Sequence, residues 1–147
     1  YYWRDYNGVI PSDALPAGKD FNGDDTYIGQ VYTHQYGLFV VQIFPGQKVL
    51  DYICMGLKKA DSDIKILCTQ HKESFSWWLT TAKTFYADTA NKHAVVGGRT
   101  HVNNQSAVLN IGRVMREGIL KIGPLPNRKL VYMYYPHNGV QESVDAY

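Results

Sequence analysis

The feature that most constrains this sequence is its division into short runs of β-branched and aromatic residues, each ended by Gly, Pro, Asn or Asp. Runs of this kind are typical of strands, and no stretch shows the sustained apolar spacing of an amphipathic helix. The six prolines fall where turns or strand ends are expected. We therefore predict an all-β fold with little or no helix. The predicted strands are 26–33, 37–44, 49–55, 64–69, 76–79, 108–115, 118–122 and 130–135.

The sequence also contains an internal repeat of strand-like segments. Ile-Gly-Gln-Val at 28–31 recurs as Ile-Gly-Arg-Val at 111–114, an offset of 112 − 29 = 83. Ala-Gly-Lys at 17–19 is echoed by Gly-Gly-Arg at 97–99, an offset of 98 − 18 = 80. Because the matches keep one order and nearly one spacing, we predict two tandem, pseudo-symmetric β repeats.

Length and composition bound the class of protein. We predict that the 147 residues form a single compact domain, with the repeats at about 1–72 and 73–147. A net charge of +2 creates no strong field, so nucleic acid is not an expected partner. No apolar run is long enough to span a bilayer, and the first residues do not resemble a signal peptide. We expect a cytoplasmic protein with reduced Cys54 and Cys68, or one released by a non-classical route.

A polar loop before the first long strand is the first candidate for a ligand site. Gly18 and Gly23 are free to take positive φ, and Asp20, Asn22 and Asp24 supply oxygen acceptors. Such a loop suits a hard cation or the hydroxyls of a sugar, and a solvated loop without a ligand is the alternative. The spacing of the three acceptors matches a helical calcium loop, but the glycine is misplaced and the final glutamate is missing. We therefore predict no metal.

At these residues the sequence resembles the DM-nine repeat family, and the resemblance covers nearly the whole chain as two tandem repeats. Members of this family are compact all-β proteins, and several are mannose-binding lectins. The matching positions of the first copy are Trp3, 10–11, 18–20, 22–23 and 27–29, and those of the second copy are 97–98, 111–114, 117–118, Lys121 and Pro124.

The resemblance implies a function. We expect a carbohydrate-binding protein that recognises mannose-type glycans of microbes or of the host, without a metal or cofactor, and that forms a homodimer. The alternative is an intracellular structural or protein-interaction module in which sugar binding is vestigial. The sequence contains no Gly-x-Ser-x-Gly elbow, phosphate-binding glycine loop or His-Glu-x-x-His motif, so we do not expect an enzyme.

The resemblance also implies sugar-binding residues. Family members pair an Asp just after the glycine loop with a Lys further along, shortly before a Pro. In the first copy these positions fall on Asp20 and Gln42, and in the second they fall on Thr100 and Lys121. Neither copy is complete, so one copy binds with a substituted partner, or Asp20 and Lys121 meet between the halves, or binding is lost. The predicted sugar-binding set is Asp20, Asn22, Asp24, Gln42, Glu117 and Lys121.

Overall fold

The computed structural model describes residues 1–147, and nearly all of its regular structure is β. The longest strands follow the β-branched and aromatic runs, because such side chains pack well on a pleated surface. Helical structure is limited to the five-residue α1 (Phe85–Thr89) and a 3₁₀ turn at Lys72–Ser74. The predicted all-β fold is therefore confirmed. The strands are β1 (Tyr2–Asp5), β2 (Pro16–Lys19), β3 (Asp25–Thr33), β4 (Gly37–Ile43), β5 (Leu50–Ile53), β6 (Leu57–Ala60), β7 (Ile64–Cys68), β8 (Val96–Val102), β9 (Gln105–Arg116), β10 (Ile119–Pro126), β11 (Met133–His137) and β12 (Val140–Val144).

Six strands close into a hydrogen-bonded ring in the order β3–β2–β10–β9–β8–β4, and β4 returns to β3. All neighbours are antiparallel, and β7 joins the ring along the second part of β3, with β1 outside it. Two seams join the halves of the chain. They are the pairing of β4 with β8 at Gly37 and Thr100, and the pairing of β2 with β10 at Lys19 and Leu120. Each half therefore contributes three strands to the ring.

The buried side chains form three clusters. The central cluster draws on strands of both halves, with Ile28, Val40 and Ile122 among its members. One flanking cluster contains only residues of the first half, and the other contains only residues of the second half. Burying one such aliphatic side chain stabilises the fold by about 1.5–3 kcal/mol. The central cluster is therefore the part of the core that holds the two halves together.

Two reciprocal hydrogen bonds also link the halves. Both β2 and β8 carry an irregularity, at residues 16–18 and 96–98. Gln30 Nε2 donates to the Gly97 carbonyl at 2.8 Å, and Arg113 Nη1 donates to the Ala17 carbonyl at 3.1 Å. The donors are 113 − 30 = 83 residues apart and the acceptors 97 − 17 = 80, the same offsets as in the sequence repeat. The tandem repeat itself stays a prediction.

Two hairpins lie outside the ring. The β5–β6 hairpin packs against β4, the β11–β12 hairpin packs against β10, and β5 also contacts β11. The turn of the second hairpin is Asn138-Gly139, with φ of 50° and 76°, as a tight two-residue hairpin turn requires. The hairpins therefore stand side by side over neighbouring parts of the ring.

Some strand predictions are wrong. Residues 76–79 form no strand, because no sheet edge pairs with them, and the Leu79 side chain is 93% exposed. The strand predicted at 130–135 begins at Met133 and ends at His137. Strands β1, β2, β6, β8 and β12 were not predicted, since they are short, polar or rich in glycine. None of the helices is long and apolar enough to cross a membrane.

Predictions about single residues have mixed outcomes. Gly23 takes the expected positive φ of 83°. Gly18 does not, and its lack of a side chain serves close packing instead. Cys54 and Cys68 are both buried and free, as predicted for reduced thiols.

Candidate functional site

The carboxylate of Asp20 shapes the loop between β2 and β3. Its Oδ1 accepts hydrogen bonds from the backbone N–H groups of Asn22 (2.8 Å) and Asp24 (2.9 Å). The backbone N–H of Asp20 also donates to the Asp24 carbonyl at 2.9 Å. These bonds form an Asx-type turn that fixes the loop. The side chains of Asn22 and Asp24 are exposed. One oxygen of Asp20 is therefore committed to local structure, and Oδ2 has no protein donor.

The same loop lies against the turn between β9 and β10. A Cβ added to Gly118 would come within 3.1 Å of the Phe21 ring, so the ring covers this glycine. Glu117 in the turn accepts from His137 Nε2 and from Arg116 Nη1, both at 2.8 Å. The hydrogen bond from His137, followed by that from Arg116, lowers the pKa of the Glu117 carboxyl. Glu117 is thereby directed towards β11 rather than towards Asp20.

Gln42 occupies a buried, fully hydrogen-bonded position. Its Nε2 donates to Thr26 Oγ1 (2.8 Å) and to the Leu120 carbonyl (3.0 Å). Its Oε1 accepts from the backbone N–H of Ile122 at 3.0 Å. The side-chain amide thus bonds to β10 as the peptide group of a neighbouring strand would. A Cβ on Gly18 would lie 2.5–2.9 Å from this cluster of atoms, which explains the glycine there. The structure gives Gln42 a role in joining β4 to β10.

Lys121 lies on β10 with only 9% of the residue exposed. Its Nζ donates one hydrogen bond, to the Pro136 carbonyl at 2.8 Å. An ammonium has three donors, so two of them have no protein acceptor. Burial lowers the pKa of Lys121, because removing the ammonium from water disfavours its charged form.

A cleft of about 110 Å³ opens between the two hairpins, over β4 and β10. Lys121 and Asp51 both line it, and Asp51 Oδ1 also pairs with Lys59 Nζ at 2.7 Å. Tyr52, whose ring packs against that of Phe39 at 5.5 Å between centroids, also lines the cleft. The cleft therefore combines a lysine, an aspartate and a tyrosine among its lining residues. Its polar lining residues are Gln42, Gln47, Asp51, Lys121, His137 and Asn138.

The predicted residues divide between two places. Gln42 and Lys121 line the cleft, and Glu117 is linked to it through His137. The loop residues at 20–24 do not line it, and Asp20 and Lys121 form no ion pair. Sequence reasoning missed Asp51 and His137. A carboxylate inside an aromatic strand and a histidine before an Asn-Gly turn were the available signals.

A second, wider groove contains an ion pair between two of its own lining residues. It measures about 610 Å³ and is lined by polar residues including Arg4 and Asp13. Asp13 accepts from the Arg4 guanidinium at 2.7–3.1 Å and from the Tyr2 hydroxyl at 2.5 Å. These bonds, first from Arg4 and then from Tyr2, hold the pKa of the Asp13 carboxyl well below its usual range. The only carboxylate of the groove besides Glu73 is therefore already bound by Arg4 and Tyr2, which makes the inter-hairpin cleft the better candidate site.

Comparison of the chain with models of known protein families and with curated proteins finds no match. No group of three or more His, Cys, Asp or Glu side chains is arranged to hold a metal ion.

Proposed function

We propose that this chain is a carbohydrate-binding protein of the DM-nine type that recognises mannose-type glycans, and that the sugar binds in the inter-hairpin cleft. The observation that carries the proposal is the presence of Lys121 and Asp51 on one small cleft beside the Tyr52 ring. A carboxylate accepts from sugar hydroxyls, an ammonium donates to their oxygens, and an aromatic ring can cover the C–H face. Such charge-assisted bonds are stronger than neutral ones.

The size and charge of the cleft favour a neutral sugar unit. Its volume of about 110 Å³ is well below the range of about 300–1,000 Å³ typical of drug-sized ligand sites. It therefore suits part of one sugar ring, such as a terminal residue. Lys121 supplies hydrogen-bond donors and the second oxygen of Asp51, whose Oδ1 pairs with Lys59, supplies an acceptor, and sugar hydroxyls can use both. A single site of this kind is weak, and a homodimer would raise avidity without new contacts.

The reciprocal contacts of Gln30 and Arg113 support the tandem-repeat part of the proposal. The resemblance to the DM-nine repeat family implies that Asp20 contacts the sugar. In the cleft, Asp51 would take the place of that carboxylate, while Lys121 keeps the role of the lysine. Asp20 and its loop would then stabilise the neighbouring turn.

The test is binding of methyl α-mannoside by calorimetry and of mannan by pull-down. Losing a hydrogen bond to a charged group costs about 1.5–3 kcal/mol, so Asp51→Asn and Lys121→Met should each weaken binding about 10- to 100-fold. Asp61→Asn, at an exposed loop position, is the matched control and should bind normally. Binding should also persist in a strong chelator. If both cleft variants bind normally and Asp20→Asn loses sugar binding, the sugar site lies in the loop between β2 and β3 and not in the cleft.

A second candidate, a protein-interaction module, is favoured by one exposed apolar segment. Trp77, Trp78 and Leu79 lie outside any strand, and the Trp rings are covered by Arg113 and Lys92 at 4.2 and 4.1 Å. Apolar side chains exposed together are characteristic of partner surfaces. If this candidate is correct, the wild-type chain should not bind mannan. It should instead bind a protein partner, and Leu79→Asp should lose that partner. Mannan binding that Leu79→Asp leaves intact would argue against it.

A further inference from the structure

Lys121 differs from every other lysine of the chain in its surroundings. It is the only buried lysine, and its single acceptor is the neutral Pro136 carbonyl. The pKa of Lys121 is lowered, and burial is the largest cause of that change. A larger share of Lys121 is therefore present as the neutral, nucleophilic amine near pH 7 than for a solvated lysine.

The charges around Lys121 do not cancel this effect. The carboxylates near it raise its pKa, and the nearby guanidinium lowers it, but both influences are smaller than burial. Asp51 already pairs with Lys59, and Glu117 and Glu142 share Arg116. The titratable and charged groups around Lys121 are Asp51, Arg116, Glu117, His137 and Glu142.

We propose that the Lys121 amine forms an imine with small hydroxyaldehydes that enter the cleft, such as the open-chain forms of short sugars. The amine nitrogen attacks the carbonyl carbon, and a proton moves from nitrogen to the carbonyl oxygen to give a carbinolamine. Loss of that hydroxyl group with the remaining N–H proton releases water and leaves the C=N bond. No oxidant or reductant is consumed, and hydrolysis reverses the step.

The cleft favours a hydroxyaldehyde over a simple aldehyde. The unshared oxygen of Asp51 and the side chain of Asn138 can bind a hydroxyl group while the carbonyl carbon meets Lys121. The volume of about 110 Å³ admits a short chain. This activity requires the cleft and the amine, and it does not require that mannose binds.

The test uses the full chain with glycolaldehyde and cyanoborohydride at pH 7, which reduces an imine to a stable secondary amine. Peptide mapping by mass spectrometry then locates the hydroxyethyl groups. Lys121 should react severalfold faster than the exposed Lys83 and Lys129, because its lowered pKa leaves more free amine and the cleft holds the aldehyde beside it. In urea the three lysines should react equally. Equal or slower reaction of Lys121 in the folded chain would overturn the proposal.

The concentration dependence tests the role of the cleft. The rate at Lys121 should saturate with glycolaldehyde, and the rate at Lys83 should rise linearly. Asp51→Asn should weaken the saturation, whereas Asp61→Asn should leave it unchanged. A linear rate at Lys121 in the wild-type chain would contradict binding in the cleft. Methyl α-mannoside cannot open to an aldehyde, so its binding tests only the proposed function, and a failure there is distinguishable from a failure here.

Discussion

Replacing Gln42 with methionine should separate a structural role from a sugar-binding one. The substitution keeps the length of the side chain but removes the acceptor for the Ile122 N–H and the donor for the Leu120 carbonyl. Leaving a buried polar group without a partner costs about 1–3 kcal/mol, so two backbone groups cost about 2–6 kcal/mol. Against a total stability of about 5–15 kcal/mol for a domain, this is a large loss.

Urea unfolding followed by circular dichroism measures the effect. The midpoint should fall with little change in slope, since the surface exposed on unfolding stays the same. Gln141→Met, at an exposed position of β12, is the control and should change the free energy of unfolding by less than about 0.5 kcal/mol. An equally small change in Gln42→Met would refute the structural role and return Gln42 to the candidates for ligand binding.

Gln42→Glu offers a sharper form of the same test. The acid keeps an acceptor for the Ile122 N–H, but when ionised it cannot donate to the Leu120 carbonyl. Burial should raise the pKa of this carboxyl above its unfolded value. The variant should therefore be most destabilised at neutral and higher pH. It should recover as the pH falls through the raised pKa, because the protonated acid can donate. A loss of stability that does not depend on pH between 5 and 8 would contradict this account.

Two further predictions concern stability. The pKa of Asp13 is lowered in the folded chain by Arg4, so the stabilisation by this carboxylate is complete above the unfolded value of about 4 and is lost as the pH falls below it. Acid unfolding curves should show this loss in the wild-type chain and not in Asp13→Asn. Gly123→Ala would place Cβ within 1.9 Å of the Tyr134 carbonyl oxygen and should destabilise the chain by about 3 kcal/mol or more. Gly46→Ala, with open space but a φ of 86°, should cost about 1–2 kcal/mol in the same urea titration.

The long strands were predictable because their own side chains specify them. The run of Gly37–Ile43 is apolar and β-branched along most of its length, a composition that by itself favours a strand. Strand β8 was not predictable, because two consecutive glycines, Gly97 and Gly98, are typical of a turn. A Cβ on Gly98 would lie 2.3 Å from the Leu38 carbonyl oxygen, so these glycines permit a close approach that only the folded ring reveals.

The candidate site was predictable in part. Lys121 follows from the family resemblance, since its position precedes a proline in the second copy. Asp51 could not be found in this way, because it comes to line the same cleft as Lys121 only after the hairpins of both halves pack side by side. Aspartate is a residue type that often binds ligands, but the position of Asp20 after β2 allows its carboxylate to accept hydrogen bonds from the loop backbone. Sequence position alone does not distinguish these two uses of an aspartate.

The two seams of the ring constrain how the chain reaches its fold. They pair Gly37 with Thr100 and Lys19 with Leu120, so neither seam can form until strands of the second half are present. Contacts between residues so far apart in the chain slow folding, because the loop must be closed before the contact contributes. A chain carrying only the first half would keep β2 and β4 with unpaired edges, which are prone to join other strands. Two copies of that half could satisfy those edges mutually, as a closed pair related by twofold symmetry.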